Sequence, residues 1–597
     1  MGTILKWVVG ILVLLALALG ALVFILTRPA APLEPADQVV AIAQGSLQGG
    51  IDRDNPEILQ FNGVPYAAPP VGNLRWRPPA EPVAWEGVRQ AQAFGAECLQ
   101  ARGGSAEFVR DLVKGLGLAW WKQQLAGVVT ANMASAPESE DCLFLNIRTA
   151  STGSEDLKPV MVWIHGGSHQ SGAGSHDLYQ ANQLVENGVV LVTINYRLGP
   201  LGYLAHPALS ADDPRGVSGN YGLLDQMAAL AWVRANIEPF GGDPANVTVF
   251  GESAGAQSVS EMMASPASEG LFHKAILQSG SSTYRSVGLT TALEGRPTAH
   301  EVGAELLDGL ASADASAEDL RVIDGADIIA AIGEHPELID YLKPVVDGEV
   351  LPRMVGDAIL NGGIPAIPML MGYNGDEATL FYADTQAPTV LKAPFPEDMA
   401  ARFARLDEIY GPEDALRLRT LYGLDEPDEW DQGAMDMLGD DIFGVHMRTL
   451  AKENSAAGAP TWLYHFTRIP PSPRQTLGAF HASEIFFVFN SHSPLMDLTE
   501  NDRVITEAMG AYWAAFATHG DPNRADWATW PAYGADDRWM TFPTDEAPRA
   551  AQGVRAEKLD IMERVLRERV ADAIPVLTPD PAVGSGGQEA GADSLQP

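Results

Sequence analysis

The segment Asn246–Ala256 (NVTVFGESAGA) restricts this chain more than any other. Val247–Phe250 reads as a strand, and the residues from Ala254 onward read as the start of a helix. Between them lies Gly251-Glu252-Ser253-Ala254-Gly255, a G-x-S-x-G pentapeptide in a strand–turn–helix setting. So tight a turn needs a strained backbone at its centre and neighbours without bulk at 251 and 255. It lifts the Ser253 hydroxyl clear of the sheet, and the helix N-terminus behind it favours developing negative charge. Ser253 is therefore the candidate nucleophile. Without that setting, the same residues would be a glycine-rich turn whose serine caps a helix.

A strand that feeds such a turn belongs to a sheet. Val160–Ile164, Val189–Ile194, Val247–Phe250, Ala275–Leu277 and Ile367–Met371 are apolar without alternation. That is the pattern of strands buried on both faces of a mostly parallel sheet. Helical stretches such as Leu223–Ile237 separate them, which indicates an α/β architecture. His165-Gly166-Gly167-Ser168 closes the first of these runs. A loop in that place offers backbone N–H groups to an oxyanion, beside the N–H of the residue after the nucleophile. Gly167, Ser168 and Ala254 are thus candidate donors; the alternative is an ordinary glycine turn.

Composition narrows the rest. Of 597 residues 46% are hydrophobic and 19% charged, which permits a large core. Lys and Arg number 39 against 77 Asp and Glu, a formal charge of −38, so a nucleic-acid partner is excluded. Two cysteines rule out a disulfide-dense scaffold or a multi-cysteine metal protein. Trp7–Leu26 carries no charge. Twenty helical residues at about 1.5 Å each span the roughly 30 Å bilayer core. We read 1–6 as a short cytoplasmic N-terminus and 7–27 as a membrane anchor, with a cleaved signal or a buried terminal helix as alternatives. The α-amine and Lys6 before the span, against Arg28 after it, favour an exported body. Residues 28–38 read as a stiff Pro- and Ala-rich linker, 39–577 as the body, and the Gly-rich 578–597 as a disordered tail.

Further segments carry a resemblance. They include Phe61–Pro79 (FNGVPYAAPPVGNLRWRPP), Glu140–Asn146 (EDCLFLN), Asn195–Gly199 (NYRLG) and Gly219–Gln226 (GNYGLLDQ). Gly372–Glu377 (GYNGDE), Gly478–Phe487 (GAFHASEIFF) and Phe516–Asn523 (FATHGDPN) follow. With the turn at Ser253, their kind and order over residues 40–570 resemble the type-B carboxylesterase family, which has the α/β-hydrolase fold. The resemblance implies a large, mostly parallel sheet flanked by helices, with helical insertions over a gorge. It also implies hydrolysis of small-molecule carboxylic esters through a Ser–acid–His triad, without metal or organic cofactor.

The acid carries over to Glu377, although chemistry alone allows Asp376 equally. The base carries over to His481. The residues by themselves leave five histidines after Glu377: His446 in a helical stretch, His465 in a strand-like run, His481 in a loop, His492, and His519 at a helix end. A histidine base implies activity that rises with pH through a titration nominally near 6.5. By the same resemblance Glu252 and Ser279 belong to a polar network behind the triad, with capping and turn roles as the alternative. Cys98 and Cys142 match the family's first disulfide, and Arg75 and Glu140 match an ion pair at its base. The loop between the cysteines holds Leu116–Val129 (LGLAWWKQQLAGVV), read as a packed surface helix, a lid or a second membrane contact. Where cholinesterases place an aromatic residue for quaternary ammonium, this chain has Asn132, which argues against choline esters. Ser168 replaces the third glycine of the common HGGG loop. Amide, carbamate or toxin-ester hydrolysis at the same site remains an alternative, as does a non-catalytic adhesion relative.

Overall fold

The five apolar runs all become strands of one sheet. A computed structural model describes residues 31–577 apart from 102–114, 125–136, 154, 284–285, 294–295, 383–398, 426–429, 470–473 and 493–495. The expected N-terminus 1–6, anchor 7–27 and tail 578–597 lie outside the described residues, as do Asn132 and much of the loop around it. Among the described residues, no helix is long and apolar enough to cross a membrane.

The sheet has thirteen strands: β1 Glu34–Ile42, β2 Gly45–Ile51, β3 Leu59–Pro65, β4 Val88–Gln90, β5 Phe144–Thr149, β6 Lys158–Ile164, β7 Val190–Ile194, β8 Gly242–Glu252, β9 Lys274–Gln278, β10 Met369–Asn374, β11 Thr461–Phe466, β12 Arg538–Phe542 and β13 Arg549–Gln552. Their order is β1-β2-β3-β5-β7-β6-β8-β9-β10-β11-β12-β13, with β4 beside β2. From β7 to β12 every neighbouring pair is parallel. The antiparallel pairs lie toward the two ends. The segment expected as a linker over 28–38 differs: from Glu34 it is already strand β1, paired with β2.

Side-chain alternation divides each inner strand between two cores. Val160, Val162 and Ile164 face one core, while Met161 and Trp163 face the other. Val249 against Phe250, Leu277 against Ile276, and Met371 against Leu370 divide in the same way. Six helices matter below: α1 Tyr221–Asn236, α2 Ala254–Ala264, α3 Val445–Ala456, α4 Ile485–Phe489, α5 Glu500–His519 and α6 Ala556–Leu577. Leu230, Val259, Leu450 and Leu559 bring α1, α2, α3 and α6 into the first core; Phe487, Met509 and Trp513 bring α4 and α5 into the second. Trp163 shows how tightly that second layer closes. It is fully buried, with ring centroids 4.8 Å from Phe250 and 5.1 Å from Phe489.

Two of the quoted motifs meet as scaffold. Arg197, just after β7, donates from Nε and Nη2 to the two carboxylate oxygens of Asp225 in α1, both at 2.7 Å. Both residues are buried, so this two-pronged pair fixes the helix against the strand end. Cys98 and Cys142 form a disulfide with a Cα–Cα distance of 4.9 Å. Arg75 Nε donates to Glu140 Oε2 at 2.6 Å beside it. The disulfide joins residues 44 apart, so its loss frees about 4 kcal/mol of unfolded-state chain entropy. The double variant Cys98→Ser/Cys142→Ser is therefore expected to unfold at a clearly lower temperature than the parent. An unchanged thermal midpoint would show that the bond carries no stability.

Candidate active site

Strand β8 ends at Glu252 and helix α2 begins at Ala254, which leaves one residue to turn the chain. That residue, Ser253, has φ +54° and ψ −121°, a conformation that costs a non-glycine residue on the order of 1–3 kcal/mol. The turn admits no side chains on either flank. A Cβ at Gly251 would lie 2.6 Å from the backbone of Gly255, and one at Gly255 would lie 2.0 Å from the carbonyl oxygen of Ile164. The Ser253 N–H donates to the Gln278 carbonyl at 2.9 Å and so holds the turn onto β9. Ala254 is the first residue of α2, so its N–H has no acceptor within the helix and remains available to a bound oxyanion.

The loop after β6 lies against this turn. A Cβ on Gly166 would fall 3.1 Å from Ser253 Cβ. Gly167 takes φ +106°, and Ser168 and His169 follow at +56° and +62°. The loop closes on itself through the N–H groups of Gln170 and Ser171, which both donate to Gly167 O. It is tied to α2 as well, where His169 Nε2 lies 3.0 Å from Ser258 Oγ. Burial pushes the imidazoles of His165 and His169 down to about 3, so both are neutral parts of the scaffold. Gly167 and Ser168 thus follow directly on Gly166, which lies against the Ser253 turn, and Ala254 follows Ser253 in that turn.

The acid and the base come together across the sheet. His481 Nδ1 donates to Glu377 Oε2 at 2.6 Å. Glu377 Oε1 accepts from Ser279 Oγ and from the Asn374 N–H, both at 2.6 Å. Asp376 points elsewhere: its Oδ2 accepts the Ala479 N–H at 2.7 Å, which fixes the loop two residues before His481. The other histidines sit in scaffold. His446 is in α3, His465 in β11, and His519 ends α5. His492 Nε2 pairs with Thr506 Oγ1 at 2.8 Å.

Residues that were not singled out in the sequence complete the site. Glu484, fully buried, accepts from Gln278 Nε2 at 3.0 Å and from Asn374 Nδ2 at 2.5 Å. The only sequence signal was a glutamate inside the apolar run after His481. Phe443 stacks on the His481 ring at 4.8 Å between centroids and 24° between planes. Glu252 Oε1 lies 3.0 Å from His481 Nε2, so the imidazole stands between two carboxylates. Burial raises Glu252 to about 8. Burial alone would lower His481, but the charges of Glu252 and Glu377 outweigh it and push the ring up to about 9. The two carboxylates therefore favour the protonated ring.

Among known proteins, the family model described as "Carboxylesterase family" matches residues 36–562. A fumonisin B1 esterase of Sphingopyxis macrogoltabida is 34% identical over 544 residues, which cover 90% of this chain and 92% of that protein. A para-nitrobenzyl esterase of Bacillus subtilis is 32% identical over 517 residues, 84% of this chain and 94% of that one. Among solved structures, a Geobacillus stearothermophilus carboxylesterase superposes with a TM-score of 0.71 at 32% identity, over 88% of this chain and 99% of its own.

Glu252→Gln removes a charge that favours the protonated ring, so His481 then loses its proton at lower pH. The rising limb of kcat/KM for an ester should move toward acid by roughly a pH unit. A limb that stays in place would exclude Glu252 from the titration.

Proposed function

The chain belongs to the carboxylesterase family and is a carboxylic ester hydrolase of α/β-hydrolase fold, and we propose that it works through Ser253, His481 and Glu377 by way of an acyl-enzyme. The observation that carries this reading is the 2.6 Å contact of His481 with Glu377, in a buried site that also holds the strained Ser253 turn. His481 accepts the Ser253 proton as the hydroxyl oxygen attacks the ester carbonyl. The carbonyl oxygen takes the charge and receives N–H bonds from Gly167, Ser168 and Ala254. Glu377 holds the ring and stabilises the imidazolium. As the tetrahedral intermediate collapses, His481 returns the proton to the departing alcohol. Water then attacks the acyl-enzyme with His481 again as base, and the carboxylic acid leaves. Glu252 and Ser279 serve this site from behind, and no metal or cofactor takes part.

The substrates are small-to-medium organic esters. The relatives' names range over fumonisin B1, para-nitrobenzyl, acylcarnitine and pyrethroid substrates, and what these share is a carboxylic ester. The body begins with strand β1 at Glu34 and is exported, held to the membrane by 7–27. The Cys98–Cys142 disulfide favours that placement, because such bonds persist in oxidising compartments.

Ser253→Ala should lose p-nitrophenyl acyl ester hydrolysis by about 10⁴-fold or more while keeping its thermal midpoint. A fluorophosphonate probe should label the parent on Ser253 alone. Substantial activity in the variant would overturn the assignment. Deleting residues 1–30 should move activity from the detergent-extracted membrane fraction to the soluble fraction. A full-length enzyme already soluble without detergent would remove the anchor.

A further inference from the structure

Beside the triad lies a segment that hydrolysis as described does not use. Between the helix Trp430–Gly439 and α3, residues Asp440–Gly444 form a π-helical turn. Such turns are rare and recur at functional sites. This one lies against the base, and the residue just before it lies against the acid. A Cβ on Gly439 would lie 3.1 Å from Glu377 Cβ, and the Phe443 ring covers one face of His481. Both rings are buried, Phe443 at 4% exposure and His481 at 7%.

The turn is pinned from outside the site. Asp440, fully buried, accepts from Tyr373 Oη at 2.9 Å, Tyr422 Oη at 2.5 Å and Arg555 Nη1 at 2.9 Å. Arg555 Nη2 also donates to Gly375 O at 3.0 Å, in the loop that carries Glu377. Asp441 accepts from Tyr410 Oη at 3.0 Å. One network therefore ties the turn to the acid loop and to the start of α6.

We infer that the Asp440–Gly444 turn is a positioning element for the catalytic base, in which the Phe443 ring fixes the plane of His481 and favours its imidazolium form. The inference rests on His481 acting as the base. Nδ1 is held by Glu377 and Nε2 lies 3.0 Å from Glu252 Oε1, so the carboxylates constrain the ring only along its edge. It can still tilt about the line through them, and a stacked aromatic face opposes that tilt. The same face carries negative electrostatic potential, which attracts the cation formed as Ser253 loses its proton. Among the described residues, the charged groups that act on the ring are Glu252 from β8, Glu377 from the acid loop and Glu484 from its own loop; Asp376, beside Glu377, is turned to the Ala479 N–H. Asp440, Asp441 and Arg555 lie behind Phe443. The carboxylates raise the ring's proton affinity along its edge, and Phe443 adds to it from the face.

The test compares pH profiles of kcat and KM for Phe443→Leu and Phe443→Tyr on a p-nitrophenyl acyl ester. Leucine keeps the site apolar but has no aromatic face. It should lower kcat roughly tenfold, leave KM within about twofold, and move the rising limb toward acid by about half a pH unit. Tyrosine should stay within about twofold of the parent with its limb in place. If the leucine variant matches the parent, or the tyrosine variant fails equally, packing alone is at work and the inference falls. Pentafluorophenylalanine at position 443 keeps the ring shape and reverses its face potential, and so decides the matter even if the leucine variant does not fold. Its limb should move toward acid; an unmoved limb overturns the inference. Ser253→Ala tests the catalytic reading separately.

Discussion

The structure depends on one forced turn. A sheet strand, β8, and a helix, α2, are joined through the single residue Ser253, held at φ +54°. Nothing local favours that conformation in a serine. It persists because the surroundings leave no alternative. Gly255 is pressed against the Ile164 carbonyl of β6, and the Ser253 N–H is captured by Gln278 of β9. Both neighbouring strands are parallel to β8 and buried in the same two cores, so the turn is fixed by the sheet's packing rather than by its own sequence preference. The order of the sheet and the exposure of the nucleophile are one constraint seen twice.

Electrostatics impose the second condition. Glu252, Glu377 and Glu484 are all buried around His481. Burying a carboxylate is costly unless hydrogen bonds or a counter-charge replace its water. Glu377 has Ser279 and the Asn374 N–H; Glu484 has Gln278 and Asn374. Among the described residues, Glu252 has His481 alone within pairing distance, and burial drives it toward its protonated form. Burial of Glu252 and the carboxylates around His481 thus both favour keeping a proton on this pair. In the proposed mechanism that imidazole is the base, so what stabilises the imidazolium in the intermediate also delays the ring's readiness to accept a proton.

What the amino-acid order reveals follows the range of the interactions. The nucleophile turn is local, and the segment 246–256 shows it. The inner strands show themselves because burial on both faces leaves no polar position. The first part of strand β1, Glu34–Gln38, reads as a linker because an edge strand need bury little: of these five residues only Ala36 is buried, and the rest has the composition of a tether. Asp376 and Glu377 are adjacent carboxylates whose difference is direction, one toward Ala479 and the other toward His481. The partner of Glu377 is 104 residues away, so residue chemistry alone left five histidines open, and only a family pattern could choose. Phe443 carries no local mark of its contact with the site, and Glu484 only that of a glutamate set in an apolar run.

Backbone strain gathers these observations into one place. Among the described residues, nine that are not glycine have positive φ. Five of them, Ser168, His169, Ser253, Ser279 and Ala482, belong to the donor loop, the nucleophile turn, the support of Glu377 and the residue after His481. A sixth, Arg555, ties the turn that bears Phe443 to the acid loop. Each such conformation costs on the order of 1–3 kcal/mol and survives only where packing over-determines it. The large double core supplies that packing. A smaller sheet, with fewer buried neighbours on either side of β8, would leave less to hold Ser253 at its positive φ. The size of the body is therefore tied to the chemistry: a thirteen-stranded scaffold keeps a few high-energy residues where a single ester bond can be attacked.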